Sequence, residues 1–296
     1  MRERGKPNLR RGGVGAGATA IVALAGAGAI ALGGCDAETR NRVGQSGSIL
    51  AVISPPTPAE AARWAVDPYD ANKRITGLNL LANAPFGGDP VYLKVYRASL
   101  GAPPASAPDA DEGVQAVAAR ALSLHGAPSD VALVLPLLNS RDRRIRAEGV
   151  RALQRLHDPS AVTPLVAALS KESEEDVDVR GAAATALGQY AEPRVVQELI
   201  GALSDDSLIV NTAARQSLGT LLGTDQGEDG AAWLAWVDAH KDLFAARKQY
   251  VYPYFERDKY WYEFIPLVPP PPNELPGTPA GMAPISAVSE SGATPR

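Results

Sequence analysis

One cysteine, Cys35, stands in 296 residues, so no disulfide can form within the chain. Histidine is nearly as scarce. His125, His157 and His240 show no metal-ligand spacing and have no cysteine partner, which argues against a zinc site. Aromatic residues make up only 6%, fewer than a β-sandwich core uses and well suited to packing by small side chains. The motifs of nucleophilic serine enzymes, zinc peptidases, P-loops and dinucleotide folds are missing, so no catalytic, cofactor-binding or metal site is expected. With 45% hydrophobic and 21% charged residues, the chain has an ordinary globular composition and enough length for a sizeable core. Its net charge of −4 is unevenly placed: residues 1–34 carry five cations against Glu3, leaving −8 on the remainder. An acidic body argues against a general grip on nucleic acid.

The cations at Arg2, Arg4, Lys6, Arg10 and Arg11 precede an uncharged run, residues 14–32, as in a positively charged leader followed by an apolar stretch. The run ends Leu32-Gly33-Gly34-Cys35, which resembles the lipobox of bacterial lipoproteins. That resemblance implies cleavage between Gly34 and Cys35, with Cys35 left as a lipidated amino terminus. Several acyl chains hold a membrane far more firmly than one, at about 0.8 kcal/mol per buried CH₂. The alternative is an uncleaved apolar anchor, since about 20 apolar residues can span a bilayer. Both place the body on the extracytoplasmic face of a bacterial membrane, because Arg10 and Arg11 stay inside.

Beyond a tether at 35–56, one phrase recurs five times, starting at Arg74, Gln115, Arg146, Arg180 and Asn211, with spacings of 31 to 41 residues. Periods in this range mark stacked supersecondary units. Counting the first residue of each phrase as zero, positions −1, +3, +6, +7 and +10 share one helical face. Position +7 is leucine in all five copies (Leu81, Leu122, Leu153, Leu187, Leu218), while +3 and +6 are mainly alanine or glycine. A second phrase, ending at Leu138, Leu169 and Leu203, repeats in step with the first, so each unit is a pair of helices joined by a short acidic turn. One pair cannot cover its own apolar face; stacked neighbours can.

The wording Asp158-Pro159, then Leu165-Val166-Ala167-Ala168-Leu169, an acidic turn, and Val179-Arg180 with Ala186-Leu187-Gly188, resembles short bacterial HEAT repeats of the phycobilisome-lyase type. The resemblance covers about 57–223 in five copies, the first two degenerate. It implies an all-α, right-handed α-solenoid, and an arginine ladder formed by Arg74, Arg146 and Arg180 with the acidic turns. The insertion at 101–108 is expected to be a disordered surface loop, and the run from Glu172 to Asp178 a solvated turn.

The resemblance also places the second helices on the concave side. There Asn79, Arg120, Arg151, Thr185 and Gln216, at +5, point away from the buried stripe, and small residues at +1 and +8 flank them. A shallow groove with central arginines suits an acidic or extended peptide, because guanidinium offers forked donors to carboxylates. A capping helix is expected within 224–247, from Trp233 and Trp236. The aromatic segment 248–265 holds Tyr250, Tyr252, Tyr254, Tyr260, Trp261 and Tyr262, read either as a lid on the array or as a glycan-binding surface. Residues 266–296 are proline-rich and expected to be disordered.

The expected role is a membrane-anchored, non-catalytic protein-binding scaffold with no cofactor besides the lipid on Cys35. The partner is a protein, with no nucleic acid. Alternatives are an envelope glycan-binding module and, more remotely, a lyase-like enzyme or accessory factor.

Overall fold

The computed structural model describes residues 56–253 and 275–285. The chain divides into two units, Met1–Pro56 and Thr57–Arg296. The leader, Gly34, Cys35 and almost all of the tether lie outside the described residues, and the geometry below is that of the second unit.

Among the described residues the fold is an all-α solenoid of helix pairs. The pairs are α1 (Pro58–Ala65) with α2 (Ala71–Ala82), and α3 (Pro90–Ser99) with α4 (Glu112–His125). In the third repeat a broken first helix, centred on α5 (Val131–Val134), packs on α6 (Arg143–Leu153). Then come α7 (Val162–Leu169) with α8 (Val177–Leu187), and α9 (Pro193–Ala202) with α10 (Leu208–Leu222). The closing helix is α11 (Gly230–Ala239), shorter than the 224–247 expected from the sequence. Each first helix packs on its own second helix, and successive second helices pack on one another.

Local chemistry starts these helices where they start. Thr57 and Glu60 form a capping box ahead of Pro58. The second helices of the first four repeats begin after Asp70, Asp111, Asp142 and Asp176, whose carboxylates accept first-turn N–H groups. Each such cap stabilises its helix by about 1 kcal/mol. The third first helix is broken because Pro136 lacks an N–H and crowds the preceding turn, so the chain tightens into a 3₁₀ turn at Leu135–Asn139.

The five +7 leucines, Leu81, Leu122, Leu153, Leu187 and Leu218, are all fully buried. Removing one side chain to alanine costs about 2–5 kcal/mol in such a site. The small residues at +1 and +8 do not all line an open groove: in the fourth repeat they form the seam with the next second helix, where a Cβ on Gly181 would lie 2.7 Å from Ile209 Cγ2 and one on Gly188 2.7 Å from Ser217 Oγ.

Buried polar side chains bridge the seams by donating to backbone carbonyls of the adjacent repeat. Gln154 Nε2 donates to Ala182 O at 3.0 Å, Gln189 Nε2 to Leu153 O at 2.9 Å and Ser217 Oγ to Ala184 O at 2.8 Å. His125 Nε2, 2.7 Å from Ala82 O, does the same between the first two repeats.

The arginine ladder is present and always reaches forward. Arg74 contacts Asp109, Arg146 holds Glu174 through two bonds of 2.6 and 2.7 Å, and Arg180 holds Asp205 through two bonds of 3.0 and 3.1 Å. Arg146 and Arg180 also donate to carbonyls of their own turns, Ser140 O and Glu174 O. Each guanidinium therefore pins its own turn and the next. This corrects the reading of 172–178 as wholly solvated, since Glu174 is only 5% exposed.

Two further expectations need correction. The insertion at 101–108 is ordered: Leu100 and Pro108 form an antiparallel bridge, Gly101 turns at φ 88°, and Asp109 N–H donates to Ser99 O. Those contacts deliver Asp109 to Arg74. In the proline-rich tail, residues 275–285 pack on the array. Ala280 N–H donates to Arg155 O at 2.8 Å, His157 N–H to Ala280 O at 2.9 Å, and Ile285 N–H to Gln249 Oε1 at 2.7 Å. Pro276, Pro279 and Pro284 leave N–H and C=O groups between them to bridge the inter-repeat turn, which composition alone does not reveal.

Candidate functional site

A groove of about 430 Å³ opens between the second helices of repeats two and three. From α4 it takes Ala116, Val117, Arg120 and Ser123; from α6 and the turn after it come Glu148, Arg151, Ala152, Gln154 and Arg155; Pro253 closes one side. Helical spacing explains the arrangement, since residues three or four apart share a face. Three arginines and one glutamate thus share the groove with the small apolar side chains of Ala116, Val117 and Ala152.

Each arginine has defined contacts. Arg120 donates from Nη1 to Asn79 Oδ1 at 3.2 Å and from Nη2 to Asn83 Oδ1 at 3.1 Å, so both amides of the preceding repeat orient it. Arg151 donates to Glu148 Oε1 at 2.6 Å, one helical turn away. Arg155 is 7% exposed and places its guanidinium over the Tyr252 ring, 4.9 Å from the centroid. A cation against a ring face is worth about 0.5–2 kcal/mol, more as it is desolvated.

Of the five residues expected on this face, Arg120 and Arg151 meet in one groove and Asn79 supports Arg120. Thr185 and Gln216 do not line it. The Thr185 hydroxyl donates back to Gly181 O within its own helix, and Gln216 is exposed two repeats further on. Sequence reasoning missed Arg155, Gln154 and Pro253. The missing signal was positional: Gln154 stands at +8, where small residues were expected, Arg155 at +9 lies just past the end of α6, and Pro253 arrives from nearly 100 residues later.

Among the expected aromatic residues, Tyr250 is buried at 4% exposure and Tyr252 is half-buried beneath Arg155. Burial pushes the Tyr250 phenol well above its usual value. Tyr254, Tyr260, Trp261 and Tyr262 lie outside the described residues. The two tryptophans of α11 divide the work: Trp233 is fully buried and donates from Nε1 to Gly227 O at 2.8 Å, whereas Trp236 stacks on His240 at 3.9 Å.

A second depression, about 550 Å³, lies on the side of the first helices and includes Leu135, Pro136, Leu138 and Pro164. The charged groups there, Arg146 and Glu174, are already bound to each other. Among the described residues no group of three His, Cys, Asp or Glu is placed to hold a metal ion. No described helix is long and apolar enough to cross a membrane.

The fold and groove define a class, the helix-pair solenoid that offers an extended side-chain surface. More particularly, the sequence model of HEAT repeats matches residues 105–177 and 172–237, so this stretch carries HEAT repeats. The match begins inside the second pair, one of the two copies expected to be degenerate, and ends in α11. No curated protein matches the chain. Among solved structures, the crystal structure of an engineered protein is similar over 56% of this chain and 79% of its own, at 20% identity and a TM-score of 0.42.

Proposed function

We propose that the protein is a lipid-anchored, non-catalytic scaffold on the extracytoplasmic face of a bacterial membrane, and that it receives an acidic, extended segment of a protein partner in the groove between α4 and α6. HEAT repeats are interaction surfaces as a class, and the single observation that carries the location is the convergence of Arg120, Arg151 and Arg155 on one apolar-walled groove. Charge draws an acidic segment in, and forked donors fix its carboxylates. The aliphatic walls take its apolar side chains. Cys35 would tether the array through its lipid, as the lipobox resemblance implies.

The test is double charge reversal, Arg120→Glu with Arg151→Glu, in the native host. Partner captured by in-cell crosslinking should fall by about tenfold or more, the equivalent of 1.4 kcal/mol or greater. Thermal stability should change little, because neither arginine belongs to the ladder. Undiminished capture would contradict the groove. Independently, Cys35→Ala should move the protein out of the membrane fraction; a processed, still membrane-bound product would contradict the lipid anchor.

A further inference from the structure

Resting on that reading of the groove, we propose that residues 275–285 are a detachable strap whose docking sets the groove wall, so that filling the groove and fastening the strap favour each other. The strap crosses the third repeat and touches both its start and its end. Gly281 lies against Pro128, which opens that repeat. Ala280 pairs with the turn after α6: its N–H donates to Arg155 O at 2.8 Å and its carbonyl accepts from His157 N–H at 2.9 Å. Earlier in the strap, Gly277 O accepts from Tyr252 N–H at 2.9 Å in an antiparallel bridge. Gln249 holds the far end, donating from Nε2 to Met282 Sδ at 3.4 Å and accepting from Ile285 N–H at 2.7 Å.

These contacts reach the groove by two short routes. Tyr252, held by Gly277, is followed directly by Pro253, which closes one side of the groove. Arg155 lines the groove, its carbonyl is bonded to the strap, and its guanidinium lies 4.9 Å from the centre of the Tyr252 ring. Strap, Tyr252 and Arg155 are therefore one connected unit, and the wall at Pro253 keeps its place while Tyr252 keeps its partner. The strap itself is lightly held. Pro279 is its one buried residue, and Leu275 is 72% exposed. Segments with few buried apolar contacts open locally, at much less cost than global unfolding. Helices α4 and α6 rest on the fully buried Leu122 and Leu153, so they stay folded when the strap leaves. A ligand that touches Pro253 binds the docked form better, and by linkage it tightens the strap by the same factor that the strap tightens the ligand. Gly281 offers a way to release the strap without altering the groove: its φ is 87°, and a Cβ there would lie 2.2 Å from Pro128 Cγ and 3.2 Å from His157 O.

The experiment uses the full-length protein in detergent, with Cys35→Ser and Val117→Cys leaving a single thiol, inside the groove. In Gly281→Val, hydrogen exchange should show lost protection at the amides of Tyr252 and His157, while α4 and α6 stay protected. Maleimide labelling of the groove thiol should then run about tenfold faster, because local opening removes the Pro253 wall. With Val117 intact, a labelled poly(Glu-Ala) peptide should bind Gly281→Val about tenfold more weakly, and in the parent protein it should slow exchange at His157 by a similar factor. Ala280→Pro, which removes the N–H given to Arg155 O, is the second variant should Gly281→Val fold poorly. Unchanged labelling once the strap is released would overturn the coupling, and unchanged protection in both variants would overturn the strap. The docking role fails separately. Faster labelling in Gly281→Val with no peptide binding by the parent would keep the strap and remove the acidic partner. Equal peptide binding by parent and variant, with unchanged labelling, would keep the partner and remove the strap.

Discussion

At the scale of single residues, the arginines divide into two kinds that sequence alone does not distinguish. Arg180 is 3% exposed and its partner Asp205 is 7% exposed, so the pair is desolvated and each member depends on the other. Replacing Arg180 by Met leaves a buried carboxylate and two turn carbonyls, Glu174 O and Glu175 O, without their donor. Such an uncompensated buried charge costs about 3–5 kcal/mol. Urea unfolding of Arg180→Met should show a loss of that size, and a loss near zero would contradict the ladder's structural role. Arg151, by contrast, is 41% exposed and should cost little.

The ladder also makes stability depend on acid. Burial alone raises Asp205, but hydrogen bonds from Arg180 and from Ser207 N–H outweigh it and hold the carboxyl below its ordinary value. Asp176 is lowered chiefly by its bond to Arg143. Because both folded-state values lie below the unfolded ones, their stabilisation is complete above about pH 4 and disappears as pH falls through the lowered values. Asp205→Asn should therefore be destabilised at neutral pH, and the difference from the wild type should shrink below about pH 3. A difference constant with pH would mean that hydrogen bonding without charge explains the pair.

At the scale of helices, contact between elements rests on positions where no side chain fits. A Cβ on Gly77 would come within 2.3 Å of Ala65 N and 2.6 Å of Ala61 O, both backbone atoms that cannot rotate away. Gly77→Ala should push α1 off α2 and cost about 1–3 kcal/mol by overpacking, with a helix-propensity gain too small to offset it. Thermal melting checks this; a stabilised variant would show that α1 packs elsewhere. Gly223 works differently, closing α10 at φ 72° beneath Ala246 O.

The same scale shows what was legible. Leu81, Leu122, Leu153, Leu187 and Leu218 could be found because helical period and repeat period both act within a short window. The forward reach of Arg146 to Glu174 was legible only as a ladder, without its partners, since turn length decides which carboxylate arrives. The docking of the tail through Ala280 was not legible, because a proline-rich composition says how a chain extends and nothing about where it docks.

At the scale of the molecule, the helix pairs make a surface by accumulation. Neighbouring second helices meet through Gly181, Gly188 and the bonds of Gln154 and Ser217, so the seams are closed and tight. Between repeats two and three Val117, Arg120 and Arg151 instead surround open space. That difference along an otherwise regular array is why the site is local, and why five equivalent +5 residues do not contribute equally. A regular repeat predicts a face; irregularities at its edges, here Arg155 and Pro253, choose the place on it.

The account is tested most directly by placing a photoreactive benzoylphenylalanine at Val117, inside the groove, and irradiating living cells of the native host. Crosslinks should join this position to an acid-rich peptide of a partner protein, and should be lost when Arg120 and Arg151 are both replaced by glutamate. Crosslinks indifferent to that reversal, or found equally from a probe at Ala132 on the side of the first helices, would contradict it.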